Sequence, residues 1–248
     1  MIRLNRDIMG MPVTIGIVGV VDEQLHELAF GCLREIDRRF SPYKVGSEVA
    51  DLNAGKVTVE TCSRDMLEVL SLAALTSSET HGYFDIRRPD GRIDPSGLVK
   101  GWAIRKAARL LVANGATDFF VDAGGDVQAA GLNEERRPWR AGILNPFDTT
   151  QIVKHVYPGT HGVATSGTYA RGAHIYDPLR GTAVGDTVAS LTVIGPDVFE
   201  ADRFATAAFA MGEAGIGFIE THPVLEAYQI DARGLATMTT GFDAFARP

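Results

Sequence analysis

The sequence predicts a mixed α/β, or α+β, fold. Segments whose apolar residues recur at helical spacing alternate along the chain with short runs rich in Val and Ile. In the second half those runs come as hairpin-like pairs split by turn residues. Mixed sheets flanked by helices are the expected result. No internal repeat, low-complexity segment or clear linker interrupts the 248 residues, so one continuous unit over 1–248 is expected.

Residues 11–21, MPVTIGIVGVV, read as the first strand. Asp22 then caps a helix over 23–40, in which Leu25, Leu28, Ala29, Cys32, Leu33, Ile36 and Phe40 fall at helical spacing. Residues 41–55 read as a loop with one helical turn at SEVADLN, and 64–82 as a second amphipathic helix stopped by Gly82. Residues 83–97 are turn-rich, 98–115 a third helix ending at Gly115, and 116–131 a strand, a Gly-Gly turn and a second strand. Further strands are expected at 139–146, 151–159, 162–167 and 187–196. A fourth helix follows over 197–212, closed by Gly212, and 215–242 form a short α/β tail.

The composition is that of an ordinary globular protein, 45% hydrophobic and 22% charged, with enough apolar material for a substantial core. A formal net charge of -7 argues against sequence-independent nucleic-acid binding, which needs clustered Lys and Arg. Two cysteines, Cys32 and Cys62, make neither a disulfide framework nor a zinc site. The first twenty residues lack a signal-peptide pattern, and no run reaches the roughly 20 apolar residues of a membrane helix. A soluble, cytoplasmic protein with no membrane segment is the default expectation.

Four stretches carry candidate chemistry. DAGGDVQAAG, 122–131, sets two glycines where a backbone can approach a ligand closely, or where a plain hairpin turns. DPSG, 94–97, precedes a helix and is either a cap or an anion site at its N-terminus. Lys100 in the first turn opposes the helix dipole, which makes more sense with an anion opposite it. Asp202 and Thr206 lie four apart on one helical face among small alanines. They suit a hard cation, or else an exposed Asp and a Thr bonded to its own backbone. GVATSGTYARGAHIYDPLRG, 162–181, brings together Thr165, Ser166, Tyr169, Arg171, His174 and Asp177. It is an exposed loop or the wall of a site, with His174 as acid, base or phosphate donor, or simply structural.

Taken together and in order, these stretches resemble the ApbE family, the FAD:protein FMN transferases. MGMPVTI is similar to the family's Met-Gly-Thr start, and FSPYKVGSEVADLNAG to its Phe-Ser-x-Tyr…Ser-Glu-x-x-x-Leu-Asn segment. GYFDI resembles Gly-x-Phe-Asp, and DPSGLVKGWAI resembles Asp-x-Ser-Gly-x-x-Lys-Gly-Tyr-Ala. The Gly-Gly-Asp turn, the Thr-Ser-Gly-x-Tyr…His-Ile-x-Asp-Pro-x-x-Gly stretch and ADRFATAAFAMG complete the set. The resemblance covers nearly the whole chain, and seven motifs in order are very specific. Departures stand at Met11-Pro12, where Thr is usual, at Arg105, where Asp is common, and at Thr168, where an acidic or polar residue is common.

The resemblance implies a magnesium-dependent transfer of FMN from FAD to a Ser or Thr of an acceptor flavoprotein, with release of AMP. It implies that Asp202, Thr206 and the Gly97 carbonyl hold the metal, and that Asp94 and Lys100 hold FAD near its nucleotide end. Met9, Tyr43, Tyr83, Phe84 and Asp85 would line the flavin or adenine pockets, with Gly125, Ser166 and Ile175 completing the cradle. His174 would stabilise the transition state or move a proton. The alternatives are a metal-dependent FAD pyrophosphatase giving FMN and AMP, and a non-catalytic FAD-binding protein.

Overall fold

The computed structural model describes residues 1–167, 176–184 and 187–247. It begins with an antiparallel hairpin, β1 (Ile2–Ile8) and β2 (Met11–Ile17). Met9 and Gly10 at its tip both have positive φ, 55° and 71°, the backbone that matches strand twist in a two-residue turn. The strand expected over 11–21 therefore stops at Ile17, and β1 is a strand that the sequence reading did not identify.

Helix α1 (Gln24–Phe40) follows, and Asp22 accepts the Gln24 N–H at 3.0 Å, two residues upstream. The short α2 (Glu48–Asn53) is capped by Ser47, whose Oγ accepts the Ala50 N–H at 3.0 Å. Helix α3 (Arg64–Glu79) is capped in the same way by Ser63. Helix α4 (Ser96–Ala113) leads into β3 (Phe119–Ala123) and β4 (Asp126–Ala130), joined by the Gly-Gly turn. A separate hairpin follows, β5 (Ala141–Asn145) with β6 (Asp148–Val156).

The chain returns to the main sheet with β7 (Gly162–Gly167), forms the two-residue pair β8 (Tyr176–Asp177) and β9 (Thr182–Ala183), and re-enters as β10 (Val188–Gly195). Helices α5 (Val198–Ala210) and α6 (Gly215–Glu220) precede β11 (Glu226–Asp231) and β12 (Ala236–Met238). Among the described residues the main sheet has eight strands in the order β1-β2-β3-β4-β7-β10-β11-β12, and every pairing is antiparallel. The expected mixed α/β class is thus present, its sheets flanked by helices. Among the described residues, no helix is long and apolar enough to cross a membrane.

Strand alternation divides the core. Ala164, Leu191 and Val193 face α5 and α6 with Phe204, Phe209 and Ile219. Val163 and Ile194 point to the other side, where Ile143 and Val156 of the β5–β6 hairpin and Phe242 cover them. The largest cluster joins β1 to β3 with α1 to α4, centred on Phe30, Leu33, Leu98, Trp102 and Phe119, and Val198, Phe199 and Ala207 of α5 reach into it. Gly162 lets α5 land on β7: a Cβ there would lie 2.0 Å from the Val198 backbone nitrogen.

Candidate functional site

Helices α4 and α5 run antiparallel against each other, and their seam gathers most of the charged chemistry. A Cβ built on Gly97 would sit 3.4 Å from Thr206 Cγ2 and 3.5 Å from the Phe84 ring. One turn along, the Gly101 N–H donates to Asp202 Oδ2 at 2.8 Å. A further turn on, the Arg105 guanidinium stacks 4.0 Å from the Phe199 ring centroid. Asp202 and Thr206 share one face of α5, as their spacing requires, and Thr206 Oγ1 lies 3.5 Å from the Gly97 carbonyl oxygen.

Lys100 projects from the same turn of α4. Its Nζ lies 2.5 Å from Asp126 Oδ2 and 3.3 Å from Asp202 Oδ1. Asp126 opens β4 directly after the Gly-Gly turn, and its other oxygen accepts the Thr165 N–H from β7 at 3.1 Å. The cation that sat oddly at a helix N-terminus therefore faces two carboxylates of the chain itself. Asp126 was not singled out in the sequence; the signal was the acidic residue closing the Gly-Gly turn. Burial pushes its carboxyl up to about 7; Lys100 pulls against this and Asp202 adds to it.

Other expected site residues fall around this centre. Phe84 is buried against Gly97, with half-buried Tyr83 before it and exposed Asp85 after it. Asp85 Oδ1 accepts the Arg87 N–H at 2.8 Å, closing a turn. Asp94 closes a turn just ahead of α4, whose N-cap position is Pro95: its Oδ1 accepts from the Ser96 N–H at 3.1 Å and the Ser96 hydroxyl at 2.6 Å. Gly125 holds φ at 94° and donates its N–H to Asp122 Oδ1 at 3.0 Å. Burial raises the Asp122 carboxyl above its ordinary value. Ser166 is buried on β7, opposite Leu191 and next to Thr165.

Met9 joins a second group built on Asp37, and Tyr43 adjoins it only as the residue before Lys44. Asp37 Oδ2 accepts the Met9 N–H at 3.3 Å and pairs with Lys44 Nζ at 2.6 Å, beside an 83% exposed Tyr43. His174 and Ile175, with Thr168, Tyr169 and Arg171 of the same stretch, lie outside the described residues. A separate cleft of about 460 Å³ is lined by Arg105, Arg109, Val112, Phe119 and Asp197, and it contains none of the expected site residues.

The donor set along the seam is all oxygen: one carboxylate, one hydroxyl and one backbone carbonyl. Such donors fit a hard divalent cation that completes its shell with water or substrate oxygens. Among the described residues, no group of three or more His, Cys, Asp or Glu is placed to hold a metal. The carbonyl and hydroxyl would therefore be necessary members of the set.

Fold and site define a mixed α/β protein with an oxygen-lined helix seam set beside an antiparallel sheet. The ApbE family model matches residues 9–90 and 86–229, and the chain belongs to the ApbE family. It is 32% identical over 167 residues to the FAD:protein FMN transferase of Vibrio cholerae serotype O1, covering 64% of this chain and 48% of that protein. The Haemophilus influenzae FAD:protein FMN transferase is 27% identical over 223 residues, 86% of this chain and 58% of that one. The chain thus spans about half the length of the curated relatives it matches. Among solved structures, the flavin transferase ApbE from Vibrio cholerae superposes with a TM-score of 0.85 at 24% identity, over 98% of both chains. The ApbE protein from Thermotoga maritima gives 0.88 at 21% identity, over 100% of this chain and 99% of that one. At these identities the structures show a shared fold.

Proposed function

We propose that the protein is a magnesium-dependent FAD:protein FMN transferase, acting as one unit over 1–248. It would move FMN from FAD to a Ser or Thr of an acceptor flavoprotein and release AMP. The observation that carries this reading is the seam that brings Thr206 to the Gly97 carbonyl and Asp202 to Gly101 on the next turn of α4, in a chain of the ApbE family. The names of the similar proteins support the reaction class.

Asp202, Thr206 and Gly97 would hold the metal, whose chemistry is to neutralise the pyrophosphate so that an alcohol can displace AMP. Asp202 is held for this by the Gly101 N–H, which fixes one oxygen and leaves the other facing Lys100. The start of α4, with Asp94 and Lys100, would meet the nucleotide end of FAD. Phe84, packed on Gly97, would bring the Tyr83–Asp85 segment against a ring. Met9, tethered through Asp37, and Tyr43, next to Lys44, would close another side, while Gly125, Ser166 and Ile175 complete the cradle. His174 would stabilise the transition state or carry the proton from the acceptor hydroxyl.

The experiment is to incubate the purified protein with FAD and an acceptor peptide bearing Asp-x-x-(Ser/Thr)-Ala-Thr, with magnesium or with EDTA, and read products by mass spectrometry. Peptide gaining the mass of FMN, with AMP released only with metal, is the expected result. Free FMN and AMP with unmodified peptide would favour the pyrophosphatase. FAD returned intact would favour a binding protein.

A further inference from the structure

Lys100 is the fifth residue of α4, just past the first turn, and two buried carboxylates turn toward it. Their side chains are 1% and 3% exposed for Asp126 and Asp202, against 19% for Lys100. Each carboxylate has one oxygen committed to a backbone N–H: Asp126 Oδ1 to Thr165 and Asp202 Oδ2 to Gly101. Among the described residues, the remaining oxygens, Asp126 Oδ2 and Asp202 Oδ1, both face the Lys100 ammonium. The sharing is unequal, close on Asp126 and looser on Asp202. With both carboxyls ionised the trio carries a net charge of -1. Buried charge left uncompensated is strongly destabilising, so the ammonium is structurally required when no other cation is present.

We propose that Lys100 is a built-in counter-cation of the metal site. Its ammonium shields Asp202 Oδ1 in the metal-free protein, yields that oxygen to a divalent cation, and stays on Asp126. This inference rests on the reading of Asp202, Thr206 and Gly97 as metal ligands. Cation binding then changes the net charge of the buried group from -1 to +1. The site repels a polyanion before the metal is loaded and attracts it afterwards, which sets the order of binding: metal first, pyrophosphate second.

The test needs no turnover. Magnesium binding to the flavin-free protein is measured by titration calorimetry at pH 8, with thermal melts in EDTA and in saturating magnesium. Wild type, Lys100→Met, Asp126→Asn and the double variant are compared. An opposite charge at this range changes a carboxylate's affinity for a cation by about one to three powers of ten. Lys100→Met removes the competitor, so magnesium Kd should fall by about tenfold at least. In EDTA its Tm should drop below wild type, and its gain on adding magnesium should exceed the wild-type gain. Asp126→Asn leaves the ammonium to Asp202 alone, so Kd should rise. The Lys100→Met effect should be larger in that background than in wild type.

Equal Kd for wild type and Lys100→Met would overturn the assignment while leaving the metal reading intact. Failure of wild type to bind magnesium at all would overturn the metal reading and this inference with it. Should Lys100→Met not fold, Asp126→Asn carries the test, and an unchanged Kd there overturns the assignment.

Discussion

Gly101 and Asp202 are in direct contact across the α4–α5 seam. The glycine N–H donates to Asp202 Oδ2 at 2.8 Å, and a Cβ on residue 101 would lie 2.7 Å from Asp202 Cβ and 2.9 Å from the Val198 carbonyl oxygen. The glycine costs α4 roughly 1 kcal/mol of helix propensity relative to alanine. It is kept because no side chain fits between the helices.

Gly101→Ala should therefore destabilise the protein despite its better propensity. The overlap involves backbone as well as side chain, so about 1–3 kcal/mol is expected, net of the propensity gain. Urea denaturation of both proteins checks the sign: a variant as stable as wild type would mean that the helices can separate freely.

Asp202→Asn keeps the volume and an acceptor for the Gly101 N–H but removes the charge. FAD binding in magnesium should weaken at least about tenfold, toward its value in EDTA, while the melting transition stays cooperative. Calorimetric titration of FAD with and without metal measures both arms. Equal affinity in the two conditions for wild type would remove the metal from the binding step.

Arg203 neighbours Asp202 on α5 and is 6% exposed, with Nη2 2.5 Å from Glu200 and Nη1 paired with Glu79. It ties the site helix to the end of α3, just before the Tyr83–Phe84–Asp85 segment. Arg203→Ala would strip two part-exposed carboxylates of their partner and should cost about 1–3 kcal/mol. Chemical denaturation reads this directly; a loss below about 1 kcal/mol would make the network dispensable.

With metal chelated, stability should depend on pH through Asp126. Its carboxyl rises from an ordinary 3.8 to about 7 in the fold, chiefly through burial. The folded state thus holds that proton more tightly than the unfolded chain does. The contribution is fully present below pH 3.8, declines as pH rises, and is gone once pH passes about 7. Other carboxyls pull the opposite way, Glu35 among them, held at about 2 by Arg38 and Arg39. The difference between wild type and Asp126→Asn, followed by urea melts in EDTA from pH 4 to 8, isolates the slope.

His174→Ala should leave Tm close to wild type and lower kcat for FMN transfer by roughly a hundredfold or more, the usual scale for an acid–base group. Transfer at the wild-type rate would remove His174 from the reaction.

Much of this arrangement could be read from the sequence where local order decides. The helices over α1, α3, α4 and α5 follow from their apolar spacing, and the Gly-Gly turn marks the β3–β4 hairpin. The strand β1 escaped because Asn5, Arg6 and Asp7 break any alternation; an edge strand open to water can carry charge on both faces. Asp202 and Thr206 were legible as a pair because one helix fixes their spacing. The Lys100–Asp126–Asp202 group was not, because three separate elements bring its members together, and no local pattern encodes that convergence.

The junction between β4 and β7 has only two residue pairs, Val127–Val163 and Gln128–Gly162, where β3–β4 has five and β7–β10 six. The sheet is thus two meanders joined by a short hinge of hydrogen bonds, each backed by its own apolar cluster. The strands of the first are complete in sequence by Ala130, but its core also takes Val198, Phe199 and Ala207 from α5, so it closes only once the second is in place. Lys100 and Asp126 belong to the first unit, Asp202 and Thr206 to the second. Docking of the two units is then the step that creates the site, and partial opening at this junction would abolish binding while most of the backbone amides remained protected from exchange.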